Sequence, residues 1–539
     1  MKKIIAFILL LSTVLSLASC DGGKKPSTAG GNDGSNDSYA AVIKAWAFHS
    51  FEKTVVNVKP KDIGLSTDYT VYLSKGETEG CQVAVYSDTK LKNVTLVQTS
   101  EDVENIETSI YEMSRTHDIK RKHHTDALVP YNGGKLTLEK KRILPFMIEF
   151  KTNESTVAGE YNYTYELRDQ KGKPFASYEI TVHVWDITLP ADKTFVTAMG
   201  LTNEGIFYHG GIYEGWYNEL LEHNICAYTL PYDILDDRAD AYMSDPRVTS
   251  FMINVTDAGV SDAKILKIYE KLKSNPVWLE KAYFYPLDEP RTKDHLATLR
   301  KREKKLTALC PEIEIMAPYY TNIQLGENRD QTDDMAEYTD LWCPKLCLWD
   351  DERSYGDFLD YTPSKTFHER MDEQMAKGDR MWTYVCNDPD DPYAQMFIDT
   401  EGVNQRLMFW QIYQRDIEGF LYWSVNYYGR LSRPINPWED TNTRVENGDG
   451  QTIYGCGFLF YPAKYVGMTN CVPSIRAKIV RDGVDDIELF YLAEKYLGKD
   501  WLMEKTKEGT PTLTEYTSGD NFVKLRIEIG NALEAALKK

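Results

Sequence analysis

The chain has 539 residues, with 62 Lys and Arg against 82 Asp and Glu, for a formal charge of −20. Its 42% hydrophobic and 27% charged content is that of an ordinary globular protein, and the length predicts about two to four domains. The acid excess excludes a phosphate-gripping nucleic-acid surface and a polybasic membrane patch, while 36 Tyr and 11 Trp favour a surface that grips ring-shaped polar ligands such as sugars.

Lys2 and Lys3 precede the apolar run Ile4 to Leu17, long enough for a secretory leader and too short for a comfortable transmembrane helix. The run ends in Leu17-Ala18-Ser19-Cys20, which resembles a bacterial lipoprotein processing site. Residues 1–19 are therefore expected to be a leader, and Cys20 the lipidated first residue of the mature chain. An ordinary signal peptide that happens to carry a Cys is the competing reading. Residues 20–40, rich in Gly, Ser, Asn and Asp, read as a flexible tether. This order implies an exported chain, lipid-anchored in a bacterial cell envelope. The eight later Cys form no CxxC pair and mostly lie in apolar stretches, as buried free thiols do. Neither a metal nor a cofactor is expected, since no His cluster accompanies Cys343 and Cys347.

Residues 41–190 show short alternating runs such as CQVAVYS, RILPFMIEF and SYEITVHVW, which predict an antiparallel β-sandwich. From about 195 the rhythm changes. Strand-like segments recur at 194–201, 224–231, 247–254, 281–288, 312–319, 339–346, 380–387 and 418–425. Helical patterns lie between them: Ile265, Ile268, Tyr269 and Leu272 form one apolar face, and Leu296, Leu299, Leu306 and Leu309 another. Eight strands alternating with helices predict a (β/α)8 barrel over residues 191–490, followed by a helical extension over 491–539. The fold class is thus α/β, a sandwich before a barrel with C-terminal helices. No Gly-rich phosphate fingerprint follows the first strand.

Catalytic groups in such a barrel sit at the C-terminal ends of strands. The fourth strand ends in Tyr285-Pro286-Leu287-Asp288-Glu289-Pro290, two adjacent carboxylates where the strand opens into its loop. In one cleft they do not both ionise easily, which holds a proton for general-acid use. A pair of acids that simply favours the start of the next helix is the structural alternative. Aromatic and amide groups crowd other strand ends: Tyr319 and Tyr320, Trp342, Trp382, Tyr384 and Asn387, and Trp423, Asn426, Tyr427 and Tyr428. Of these, Tyr319, Trp382, Tyr384, Asn387, Trp423, Asn426 and Tyr427 are the expected substrate contacts. GxSxG, HExxH and GxxxxGK[ST] motifs are all missing.

The Tyr285-Pro-Leu-Asp-Glu-Pro strand end is joined by the stretches beginning at Phe420 (FLYWSVNY), Phe458 (FLFYP) and Pro473 (PSIRAKIVRDGVDD). Together they resemble glycoside hydrolase family 123, the β-N-acetylgalactosaminidase family, over most of residues 45–495. The resemblance implies a sandwich before a (β/α)8 barrel. It implies that Asp288 orients and stabilises the 2-acetamido group of the substrate, and that Glu289 is the general acid/base. Departures lie in the stretch from Gly448-Asp-Gly450 to Gly457, which looks longer than usual, and at Ala463, where a Gly is common. The implied substrate and partner is a glycan with a terminal β-N-acetylhexosamine, galactosamine first; the membrane is expected as a partner through the lipid anchor at Cys20. A conventional retaining enzyme needs two carboxylates about 5–5.5 Å apart, whereas substrate assistance makes the sugar its own nucleophile. Two competing readings stay open: a conventional two-carboxylate glycosidase with Asp388 as nucleophile, and a glycan-binding lipoprotein without catalysis.

Overall fold

Alternation of apolar and polar residues governs the first third of the chain, and the backbone follows it. The computed structural model describes residues 42–61, 65–113, 116–255, 260–319, 322–350, 359–429, 434–442 and 453–539. The expected leader, Cys20 and the tether lie outside the described residues, as do Tyr320 and Gly448 to Gly450. Val42–Lys539 form one compact unit.

The β-rich part consists of two five-stranded sheets. One centres on Thr78–Ser87 and Arg142–Thr152, the other on Pro174–Thr188 and Gly159–Arg168. Every second residue of these strands, such as Val83 and Val85 or Val182 and Val184, enters one shared apolar cluster. The pairing departs from the expected antiparallel pattern at one place. Asp68–Lys75 runs parallel to Pro174–Thr188, because the chain crosses into the other sheet after Lys75 and no hairpin imposes the opposite direction.

From residue 196 seven short strands pair in parallel. Their order is Val196–Met199, Gly419–Tyr422, Arg380–Val385, Leu341–Pro344, Glu314–Tyr319, Ala282–Phe284 and Phe251–Ile253. They make a nearly closed barrel with helices. The segment expected as the second strand contributes a bridge rather than a strand. Met199 N–H donates to Cys226 O at 2.9 Å, Tyr228 N–H to Met199 O at 2.8 Å, and Met252 N–H to Tyr228 O at 2.8 Å. Side chains satisfy the rest of its backbone: the Thr197 hydroxyl donates to Asn224 O and accepts from Cys226 N–H. A regular ladder is therefore not needed there.

The helices start where their capping residues stand. Ser261 caps Asp262–Lys273, whose buried residues are Ile265, Ile268, Tyr269 and Leu272, the face read from the sequence. Thr292 caps Lys293–Leu309, and Thr366 with Glu369 forms a capping box on Phe367–Met375. Helix Ile475–Leu497 runs across the expected 490/491 boundary and is buried over most of its length. Its ions join the two halves of the unit. Arg476 grips Asp126 at 2.9 and 2.8 Å with both side chains wholly buried. Asp486 receives Arg406 from Gly402–Tyr413 and Arg526 from Gly519–Leu537. The eight cysteines from Cys81 onward are free thiols, buried except for half-buried Cys386. Among the described residues no helix is long and apolar enough to cross a membrane.

Candidate active site

The barrel interior is built by the period-two rule. Val196 and Ala198, Leu341 and Cys343, Trp382 and Tyr384, and Tyr283 all point into one cluster, with Tyr228, Tyr285 and Cys386 against it. Within it Tyr283 and Trp382 meet edge to face, ring centroids 5.1 Å apart. Two residues further along the same strands come Tyr285 and Tyr384, whose hydroxyls reach the two acids. Tyr285 donates to Asp288 Oδ1 at 2.8 Å, and Tyr384 to Glu289 Oε1 at 2.6 Å. The other Glu289 oxygen accepts from Arg291. Pro286 and Pro290 bracket this turn, and Glu289 takes φ +37°, a left-handed conformation unusual for a residue with a Cβ. The break in the strand lets consecutive acids serve one mouth instead of opposite faces.

The electrostatics separate the two tyrosines from the acids. Burial pushes both phenols well above their ordinary range, with Tyr228 and then Asp288 adding to it at Tyr285 and Glu289 at Tyr384, so they remain protonated donors. Desolvation raises the Asp288 carboxyl; the bond from Tyr285 opposes this, and the nearby Glu289 charge adds to it. Asp288 keeps one face open to solvent while the rest of its surroundings are protein.

Lys345 completes the mouth. It follows the strand Leu341–Pro344, its side chain is 2% exposed, and its ammonium pairs with Asp388. The same ammonium lies 5.8 Å from the Tyr384 ring centroid. Asp388, the residue considered as a conventional nucleophile, is thus already engaged by a buried cation.

The expected contacts divide. Tyr384 meets the acid pair directly, and half-buried Asn387 follows it, accepting from Cys386 Sγ at 3.0 Å. Trp423 is half-buried with its ring 5.0 Å from Tyr427, and the loop at Gly457 runs so close that a Cβ there would strike the indole. Three residues lie elsewhere. Tyr319 is wholly buried on the outer side of its strand against Trp342 and Phe367, because residues 315, 317 and 319 face the helices while 316 faces the barrel. Trp382 is 2% exposed at the floor of the interior rather than at the mouth. Asn426 spends its amide on Thr202, accepting from its N–H and hydroxyl and donating to its carbonyl. It holds the start of a helix and is wholly buried there. The residues not singled out from sequence are Tyr285, Arg291 and Lys345. Counting back by two from the acid-bearing loop would have found the first; a lone Lys in the apolar run TDLWCPKL was the only sign of the last.

Residues 245–493 match the model of the glycoside hydrolase 123 catalytic domain. Among solved structures the chain is similar to a family 123 glycoside hydrolase from Clostridium perfringens, described as acting in glycolipid glycan hydrolysis. The two share 14% identity and a TM-score of 0.60, over 92% of this chain and 98% of that one. A β-glucuronidase from Bacteroides uniformis aligns loosely, at 12% identity over 79% of this chain and 49% of that one, with a TM-score of 0.26. One from Dictyoglomus thermophilum does likewise, at 10% over 77% and 69%, also with a TM-score of 0.26. No curated protein matches the chain.

Proposed function

Because residues 245–493 match the glycoside hydrolase 123 catalytic domain, we propose that the chain removes terminal β-N-acetylhexosamine, N-acetylgalactosamine first, by substrate-assisted catalysis. The observation that carries this reading is the division of the acid pair. Asp288, which the Tyr285 hydroxyl favours as the carboxylate against the opposing effect of desolvation, receives the polar N–H of a 2-acetamido group and the positive charge that develops as its oxygen attacks the anomeric carbon. Glu289, oriented by Tyr384, protonates the leaving oxygen and later takes a proton from water. The C1–O bond to the aglycone breaks as the bond from the acetamido oxygen to C1 forms. Water then opens the resulting oxazoline ring with net retention. No second carboxylate nucleophile is required, which accords with Asp388 being committed to Lys345.

Trp423, beside Tyr427 at the end of the last parallel strand, supplies a ring face for the sugar. Lipidation at Cys20 and residence in the cell envelope remain part of the proposal, motivated by Leu17-Ala18-Ser19-Cys20.

The experiment is a leaving-group series. Glu289→Gln should lose about 10²–10⁴-fold on poor leaving groups and much less on activated aryl glycosides. Asp288→Asn should lose activity with both. Glycosides lacking the 2-acetamido group should be nearly inert with the parent enzyme. A glycosyl adduct isolated on Asp388, or on any other carboxylate, would replace substrate assistance with the conventional mechanism.

A further inference from the structure

The rim of the mouth beside the first and last parallel strands carries an apolar face that hydrolysis does not use. Helix Asn203–His209 follows the first strand directly, and its cap Thr202 is fastened to Asn426 beyond the last. Phe207 at its end is 81% exposed and Ile212, just beyond, 64% exposed. The turn at 463–470 is stitched to the same place. The Lys464 ammonium donates to Tyr208 O at 2.6 Å and sits 4.9 Å from the Tyr465 ring centroid. Ile212 N–H donates to Asn470 Oδ1 at 3.2 Å. Phe207, Tyr208, Ile212, Tyr465 and Met468, all exposed, therefore belong to one surface. Soluble proteins scatter such side chains, and a cluster of them marks a contact site.

We propose that this face docks the domain onto a lipid bilayer surface, beside the mouth, where glycan headgroups stand. The proposal rests on the envelope location proposed above. Its chemistry suits an interface. Tyr208 and Tyr465 are amphipathic rings, Phe207, Ile212 and Met468 offer purely apolar volume, and Lys464 has a long stem that carries its charge to headgroup level. Sugars stack on rings but gain little from an exposed Ile or Met, which argues for acyl chains over glycan. The link from Cys20 to the first strand at Ile43 is short. Only 22 residues separate Cys20 from Ile43, so on an anchored chain even a weak apolar contact acts at high effective concentration. With a chain charge of −20, the favoured surface is zwitterionic rather than anionic.

The test uses the leader-free, unlipidated chain of residues 21–539, which retains the whole compact unit, with phosphatidylcholine vesicles in a sedimentation assay. The parent should partition onto the vesicles, and the Phe207→Ser, Ile212→Ser, Met468→Ser variant should do so at least about tenfold more weakly. Turnover of a soluble aryl N-acetylhexosaminide should be the same for both, which separates docking from catalysis. Equal partitioning of parent and variant, or no partitioning of the parent, overturns the proposal. So does a concentration-dependent dimer of the parent that the variant lacks, which would assign the face to a second copy. The mass of the mature N-terminus of the full chain tests the anchor separately, so failure of one reading is not mistaken for failure of the other.

Discussion

Replacing Tyr285 by Phe removes one hydroxyl and leaves the ring where it stands, edge-on to Tyr228 at 6.2 Å. What is lost is the 2.8 Å bond to Asp288. A hydrogen bond to a charged group is worth about 1.5–3 kcal/mol, and the open face of Asp288 places this one at the low end, which amounts to roughly tenfold in rate. The loss should depend on pH. Burial raises the Asp288 carboxyl, and the Tyr285 bond is the strongest influence holding it down. Without it the carboxyl rises further. In the proposed mechanism Asp288 acts ionised, so activity disappears as pH falls through its folded value, and the variant should lose activity at a higher pH than the parent. The assay is kcat and kcat/KM against pH with an activated aryl 2-acetamido glycoside, for which leaving-group protonation is not limiting. A loss of the same size at every pH, with the acid limb unmoved, would show that Tyr285 acts through packing alone and would refute the reasoning.

Asp126→Asn keeps the shape of the buried partner of Arg476 and leaves that guanidinium uncompensated, so unfolding by urea should show a loss of about 3–5 kcal/mol. His117, held by burial at about 4 against an ordinary 6.5, stays neutral when folded and gains its proton on unfolding. Stability should therefore fall by about 3 kcal/mol on its account as pH drops from 6.5 toward 4, and His117→Gln should remove that slope from the urea midpoints. Trp423→Ala and Gly457→Ala, which crowds the same indole at φ +80°, should both raise KM. Trp382→Ala should instead cost about 3–5 kcal/mol of stability through the cavity it leaves in the barrel floor, measured by thermal unfolding. A higher KM for Trp382→Ala with unchanged stability would move that residue back to the mouth.

Period and punctuation alone determined much of this protein. Alternating runs before residue 190 had to bury one face, and they do so in two sheets with a common cluster. The positions 265, 268, 269 and 272 had to share a helix face, and Ser261 had to start that helix. The Pro-bracketed Asp288-Glu289 was legible as a strand end because Pro stops a ladder wherever it stands. Tertiary structure decided the rest. Which parity of a strand faces inward depends on what covers each side, and both sides of a parallel strand are apolar; Tyr319 and Trp382 carry no local mark of the outer layer or the floor. The partners of Asn426, Lys345 and Arg476 come from 224, 43 and 350 residues away in the chain. No local pattern fixes such a pairing, because it exists only once the sheets and helices have closed around it.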